Sequence, residues 1–391
     1  MNSSEPILSQ YFHNKGVRLG LPIAGNFELT PRCNFNCKMC YIHLSKDEAD
    51  RRGRELTADE WLGFAETARS KGLIFLLLTG GEPLIRPDFR YIYRELQKMG
   101  IMVSINTNAS LIDDDYFEFF KKYPPMRFNI SLYGTSEETY ENLCGNRSYE
   151  KVVKNIKRLR EAEIMVKLNV LFGPSNIDDM DAIRKVSEEV GIPIKPTTYL
   201  YPPVRVDKNE AGNNKARFPA KEAAYYEMCF DKARFSHEMF VKRTAALCRG
   251  LKTVDPDEDC DGIQTREGIQ CRAGRSSFWM TWDGRMLPCG MMIEPVTYPL
   301  RDGFDKAWSE LREKTLQIFL SEDCARCPDR HACHVCAASA YSETGAFDGT
   351  PKYICEMVSE LVRLYKEEYK ELEKNGDLEK YAGEVTGNET K

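Results

Sequence analysis

From residue 25 onward, short apolar runs alternate with longer segments whose apolar residues recur at helical spacing. The runs predict strands over 25–30, 73–79, 101–107, 127–132, 164–171 and 194–200. Helices are predicted near 57–70, 88–99, 112–122, 149–162, 177–190 and 219–240. Such alternation reads as repeated βαβ units with a parallel sheet. Six units make an α/β partial barrel or an open doubly wound sheet, and periodicity does not choose between them. Thr57 followed by Glu60 is a capping-box pattern opening the first of these helices, and Pro87-Asp88 suits the start of the next.

The flanks read differently. Residues 1–24 predict a helix or arm, amphipathic around Ile7, Leu8, Tyr11 and Phe12. Pro202 to Lys215 is polar, with Pro, Asp, Asn and Gly, and predicts a connector or flexible loop. After about residue 245 the alternation stops. Region 271–355 is rich in cysteine, with short strands at best, a turn at Trp282-Asp283-Gly284-Arg285 and little apolar core. Bound metal would supply the missing stability. A charged helix over 354–378 and a polar, frayed tail follow. The expected division is an arm (1–24), a βα unit (25–245), a cysteine-rich domain (246–360), and a helix with tail (361–391).

Composition narrows the function. With 391 residues, 42% of them hydrophobic, the chain can build a barrel and a smaller appended domain. A net charge of −5 without a long basic block argues against a nucleic-acid partner. No secretory signal opens the chain, and its longest apolar run, Leu73 to Leu78, is too short to span a bilayer. These features predict a soluble, cytoplasmic protein without a membrane partner. Cytosolic thiols stay reduced, so the 14 cysteines point to metal ligation more than to disulfides. Ten of them fall into regular sets, while Cys144, Cys229, Cys248 and Cys260 are scattered.

The first set is Cys33, Cys37 and Cys40, directly after the first predicted strand. At a cysteine frequency of 14 in 391, chance produces this spacing roughly 0.02 times per chain. Three thiolates within eight residues can grip one face of a cubic four-iron cluster and leave the fourth iron open. An open metal position binds substrate, as in catalytic zinc sites. A structural zinc loop or a ferredoxin-type cluster is the alternative; each needs a fourth nearby ligand, and His43 is the only candidate. The second set is Cys324, Cys327, Cys333, Cys336 and Cys355, preceded by Cys271 and Cys289. Taken alone, its two CxxC pairs suit a zinc ribbon equally well.

The first loop resembles the CxxxCxxC motif of the radical S-adenosylmethionine (SAM) superfamily, and Thr79-Gly80-Gly81-Glu82-Pro83 resembles that family's second motif. The resemblance implies a partial (β/α)6 TIM-type barrel, a 4Fe-4S cluster on Cys33, Cys37 and Cys40, and SAM chelated by the open iron. One electron then cleaves the sulfonium to give a 5′-deoxyadenosyl radical. Gly80 and Gly81 would let backbone approach a ligand closely, and Glu82 would accept from the methionine ammonium. By the same resemblance Asn108 ends the third strand near the nucleoside, Ser131 meets the ribose or carboxylate, Arg147 pairs with the carboxylate, and Tyr41 packs beside adenine. Strand-end polarity and helix capping are the ordinary alternatives for Asn108, Ser131 and Arg147. Met39 stands where many members carry an aromatic residue.

The C-terminal cysteines resemble the SPASM domain, a small cysteine-rich iron–sulfur extension with up to two auxiliary clusters. The resemblance implies a distal cluster on Cys324, Cys327, Cys333 and Cys355, and a nearer one on Cys271, Cys289 and Cys336. The spacing between Cys333 and Cys336 is one residue shorter than the family pattern. Cys260, then Cys248, are candidates for the fourth ligand of the nearer cluster; an open iron is the other possibility, and zinc stays an alternative throughout. His331 and His334 read as exposed polar residues. Members with both modules mostly modify peptides or proteins, which implies a ribosomal-peptide maturase making a C–C or thioether link. A sulfatase-type formylglycine maturase, a peptide epimerase and a non-catalytic redox protein are alternatives. Because 32 residues precede Cys33, too few for a leader-binding domain of typical size, either a separate leader-binding protein delivers the peptide or the barrel mouth recognises it; a flavodoxin- or ferredoxin-type electron donor is also expected. Tyr199 to Arg205 is a candidate substrate-contacting segment, with a structural linker as the ordinary alternative.

Overall fold

The computed structural model describes residues 7–251, 268–269 and 271–382. Its first half alternates as expected. Helix α1 (Ile7–Leu19) leads into β1 (Ala24–Glu28), α2 (Lys46–Arg52), α3 (Ala58–Ser70), β2 (Phe75–Thr79), α4 (Phe89–Lys98) and β3 (Met102–Thr107). Then come α5 (Asp114–Lys122), β4 (Arg127–Ser131), α6 (Glu137–Cys144), α7 (Tyr149–Glu161), β5 (Val166–Asn169) and α8 (Met180–Glu189). The second half holds α9 (Ala220–Arg234), α10 (His237–Cys248), β6 (Ser277–Met280), β7 (Met286–Leu287) and α11 (Pro299–Asp302). It closes with α12 (Phe304–Leu316), α13 (Glu322–Ala325), α14 (Ala337–Thr344), α15 (Lys352–Lys374) and α16 (Asp377–Tyr381). The expected tail beyond residue 382 lies outside the described residues.

One seven-stranded sheet runs in the order β5-β4-β3-β2-β1-β6-β7. Strands β1 to β5 pair in parallel, β6 adds in parallel to β1, and β7 returns antiparallel. This is the parallel-dominated α/β sheet of a partial TIM-type barrel, with a cysteine-rich C-terminal region. Register sets Glu28 beside Thr79 and Thr107 beside Ile130, so the C-terminal ends of β1 to β4 share one rim. Ligands of parallel α/β sheets bind at that rim.

Several expectations change. The sixth strand, 194–200, is absent; only a parallel bridge between Leu171 and Thr197 forms there. Pro193 and Pro196 have no N–H to donate to a ladder. The helix expected over 219–240 is two, because Phe235 turns extended and the Ser236 hydroxyl caps α10 by accepting from Met239 N–H. In the N-terminal helix Leu8 and Tyr11 are exposed, and His13 is the buried contact, stacked on Phe75. Thr57 and Glu60 do form a capping box, whereas Asp88 bonds Arg86 in place of capping α4.

The cysteine-rich region is not poor in core. Phe278 of β6 is fully buried and meets Phe27, Phe64, Phe304 and Trp308 at ring separations of 5.7–6.5 Å. Met280, Met286 and Leu311 join the same cluster as the barrel strands. Aromatic residues spaced too irregularly for a sequence pattern thus knit the late strands to β1. The segment 202–215 is likewise anchored: Val204 and the Arg205 side chain are buried. Among the described residues no helix is long and apolar enough to cross a membrane. Replacing Phe278 by Ala is expected to destabilise the fold by ~3–5 kcal/mol, seen as a lower urea midpoint of the metal-free protein.

Candidate radical centre and auxiliary cysteine sites

The cysteine loop leaves β1 through Leu29-Thr30-Pro31 and is held by backbone bonds from another element. Asn36 N–H donates to Cys144 O at 2.8 Å and Lys38 N–H to Leu143 O at 3.0 Å, so the end of α6 clamps the loop. Buried Arg86 donates to Leu29 O at 2.9 Å and pins the loop's entry. Phe35 N–H points at Cys33 Sγ (3.3 Å) and His43 N–H at Cys40 Sγ (3.2 Å), donors that favour charged sulfur. Burial pushes the bare thiol of Cys33 up to about 12 and that of Cys40 upward as well. Cys37 is raised first by a hydrogen bond with the buried Cys144 thiol and then by burial. Three such thiols ionise together only against a strong positive charge, which a metal cluster supplies. The His43 ring bonds Asn36 Oδ1 at 3.2 Å.

The two glycines approach the loop itself. Gly80 has φ +145°, and a Cβ there would stand 2.4 Å from Thr30 O. A Cβ on Gly81 would stand 2.3 Å from Arg32 O and 3.0 Å from Cys33 Cβ. Gly81 N–H donates to Thr30 O (2.8 Å) and Glu82 N–H to Arg32 O (2.9 Å). The second motif is therefore the back wall of the cysteine loop. Glu82 is fully buried and accepts from Leu84 N–H (3.0 Å), Thr107 Oγ1 (2.9 Å) and Asn108 N–H (2.8 Å). It ties the turn after β2 to the end of β3. Pro83 opens the buried 3₁₀ turn that follows.

Asn108 reaches the loop as well: its Nδ2 donates to Asn34 Oδ1 at 3.0 Å and lies 3.9 Å from Cys33 Sγ. Ser131 ends β4 and its hydroxyl bonds Tyr133. Tyr41 follows Cys40 deep in the fold, near Glu28, Arg205 and Cys289. Arg147 does not converge with them; it is exposed and paired with Glu141 on the surface. Met39 is buried in the main core.

The C-terminal cysteines form two groups. Cys324, Cys327, Cys333 and Cys355 line one void of about 60 Å³, walled by Pro351, Ile354 and Val358. Cys271 and Cys336 each lie close enough to Cys289 to act on its charge. Burial pushes the Cys289 thiol up to about 12. Tyr201 bonds the Cys336 thiol. Cys248 is elsewhere, its thiol on Tyr365 O at 3.5 Å, and Cys260 lies outside the described residues. His331 is not free-standing: it bonds Pro328 O and Leu247 O. Among the described residues no three His, Cys, Asp or Glu side chains converge tightly enough to hold a single metal ion.

Residues 27–186 match the Radical SAM superfamily. The match marks those residues as a radical SAM domain. The chain is 26% identical over 336 residues to the AdoMet-dependent heme synthase of Methanosarcina barkeri, covering 82% of this chain and 93% of that protein. It is 31% identical over 178 residues to a probable GTP 3′,8-cyclase of Saccharolobus islandicus, 45% of this chain and 56% of the cyclase, so it spans just over half of that relative. In fold it resembles Streptococcus suis SuiB bound to precursor peptide SuiA, with TM-score 0.62 and 16% identity over 88% of this chain and 79% of that one. It also resembles native anSMEcpe with bound AdoMet, with TM-score 0.63 and 15% identity over 90% and 100% of the two chains. A radical SAM domain implies a 4Fe-4S cluster and SAM.

Sequence reasoning missed the residues between the two cysteine regions of this chain. Glu28, fully buried at the end of β1, is held by Arg205 through two bonds of 2.6 and 3.0 Å and by Trp279 Nε1 at 2.8 Å. The available signal was a lone carboxylate in the apolar run Phe27-Glu28-Leu29, and an arginine between Val204 and Val206. Cys144 left no comparable trace, since its approach to Cys37 depends on how α6 docks.

Gly81→Ala is expected to lower bound iron to the level of a C33A/C37A/C40A variant, measured as iron and sulfide per chain. Burial raises the Glu82 carboxyl from 4.5 to about 7. Its folded-state proton is held more tightly than in the unfolded chain, so its contribution to stability is full below about 4.5 and lost as pH rises through about 7. The urea midpoint of the metal-free wild type, relative to Glu82→Gln, is expected to fall across that window.

Proposed function

We propose that this radical SAM enzyme takes hydrogen from a peptide or protein substrate and matures a ribosomally made peptide by forming a C–C or thioether link. Cys33, Cys37 and Cys40 hold the radical-generating cluster. Cys324, Cys327, Cys333 and Cys355 hold a distal auxiliary cluster, and Cys271, Cys289 and Cys336 a nearer one, within a C-terminal SPASM-type domain over 246–360. When bound, the first cluster and SAM supply a 5′-deoxyadenosyl radical that takes hydrogen from unactivated carbon. The carrying observation is the second cysteine group: four thiols around one small void fit a cluster ligand set, and two-hydrogen oxidations of peptides need an electron acceptor beside the radical source. The likeness in fold to peptide-bound SuiB and to anSMEcpe supports the same substrate class.

A cavity of about 380 Å³ supports it further, with Tyr199, Tyr201, Phe230, Arg243, Val358 and Tyr365 among its walls. Its size and its mixture of apolar walls and a few polar groups suit a peptide side chain. Tyr201 joins this cavity to Cys336. A partner protein that binds a leader and a flavodoxin- or ferredoxin-type donor complete the system. The second reading is synthesis of heme from a tetrapyrrole precursor, favoured by the match over 93% of the heme synthase.

Anaerobic incubation with dithionite, SAM and peptides encoded beside this chain decides between them. The expected outcome is 5′-deoxyadenosine formed together with a peptide mass loss of two hydrogens and no aldehyde. Aldehyde trapping would indicate formylglycine, and unchanged mass with deuterium uptake epimerisation. Turnover of a heme precursor, with every peptide left unchanged, would replace the peptide reading.

A further inference from the structure

The buried carboxylate–guanidinium pair of Glu28 and Arg205 lies between the two cysteine regions, and its two ends face different ones. Glu28 ends the strand that delivers the radical loop, and its carboxylate accepts from Trp279 Nε1. The Trp279 ring packs in a cluster with Cys40 and Tyr41. Arg205 donates to Gly290 O at 3.1 Å, one residue beyond Cys289. The pair is shielded from solvent, with side-chain exposures of 0% for Glu28 and 8% for Arg205. Fixed charges act over longer range in such surroundings than at a surface, because neither water nor salt screens them.

We propose that this ion pair is an electrostatic positioning device that holds the reduction potential of the radical cluster below that of the nearer auxiliary cluster. A negative charge beside Cys40 disfavours an added electron there, and a positive charge beside Cys289 favours one. Neither residue touches the reacting carbon in this account. The bidentate geometry fixes the direction of the dipole, which a single lysine would hold less rigidly. Trp279 and Gly290 keep the pair in register: a Cβ on Gly290 would stand 2.8 Å from the Trp279 ring.

The inference rests on the nearer auxiliary cluster proposed above, and its test separates the two. Anaerobically reconstituted holoenzyme is titrated potentiometrically with EPR detection, as wild type, Glu28→Gln, Arg205→Met, Arg205→Lys and Cys289→Ala. Glu28→Gln is expected to raise the radical-cluster potential more than the auxiliary one. Arg205→Met is expected to lower the auxiliary potential more than the radical one, and Arg205→Lys to keep most of the wild-type gap. Glu28→Gln preserves shape and carries the test if Arg205→Met fails to fold. A gap unchanged or widened in fully iron-loaded variants overturns the inference. Unchanged iron content and EPR signals in Cys289→Ala overturn the auxiliary-cluster reading beneath it.

Discussion

Holding three thiols in a buried loop is costly unless a cation shares the site, and the surrounding structure answers to that constraint. Burial drives the sulfurs toward their neutral form. Coordination reverses this, provided the backbone already stands where the ligands are needed. The loop has almost no secondary structure of its own, so neighbours supply its shape: Arg86 at its entry, Gly80 to Glu82 behind it, and the end of α6 across it. Each contact is made to main chain, which fixes the path of the loop and leaves the sulfurs free for metal.

The same logic explains the buried polar groups. Glu82 would be expensive as an isolated charge, and it survives in the core by taking three donors, from Leu84 in the turn after β2 and from Thr107 and Asn108 at the end of β3. Glu28 survives by pairing with Arg205 and Trp279. Both sit on the rim where the parallel strands end. The first shapes the radical site, while the second joins it to the cysteine-rich region.

Much of this was legible in the chain. Five of the six expected strands form because their apolar residues fall at buried positions, as with Val166 and Leu168 on either side of exposed Lys167 in β5. The cysteine spacing and Gly-Gly-Glu-Pro were local enough to read directly. What escaped was set by long-range packing. Nothing in the run around 277–280 announces that it will extend the sheet at β1, because four residues of strand carry little periodic signal. The pairing of Arg147 with Glu141, six residues earlier, on the surface was likewise not visible in its neighbours. Two prolines cancelled a sixth strand that hydrophobicity alone supported.

The account stands on the fourth iron of the first cluster being open to SAM. EPR of the reduced enzyme, recorded with and without saturating SAM in a variant lacking the seven cysteines assigned above to the proposed auxiliary clusters, tests this most directly. The account requires the signal of the single remaining cluster to change its g-values on adding SAM. An identical spectrum, with SAM binding verified separately, would contradict it.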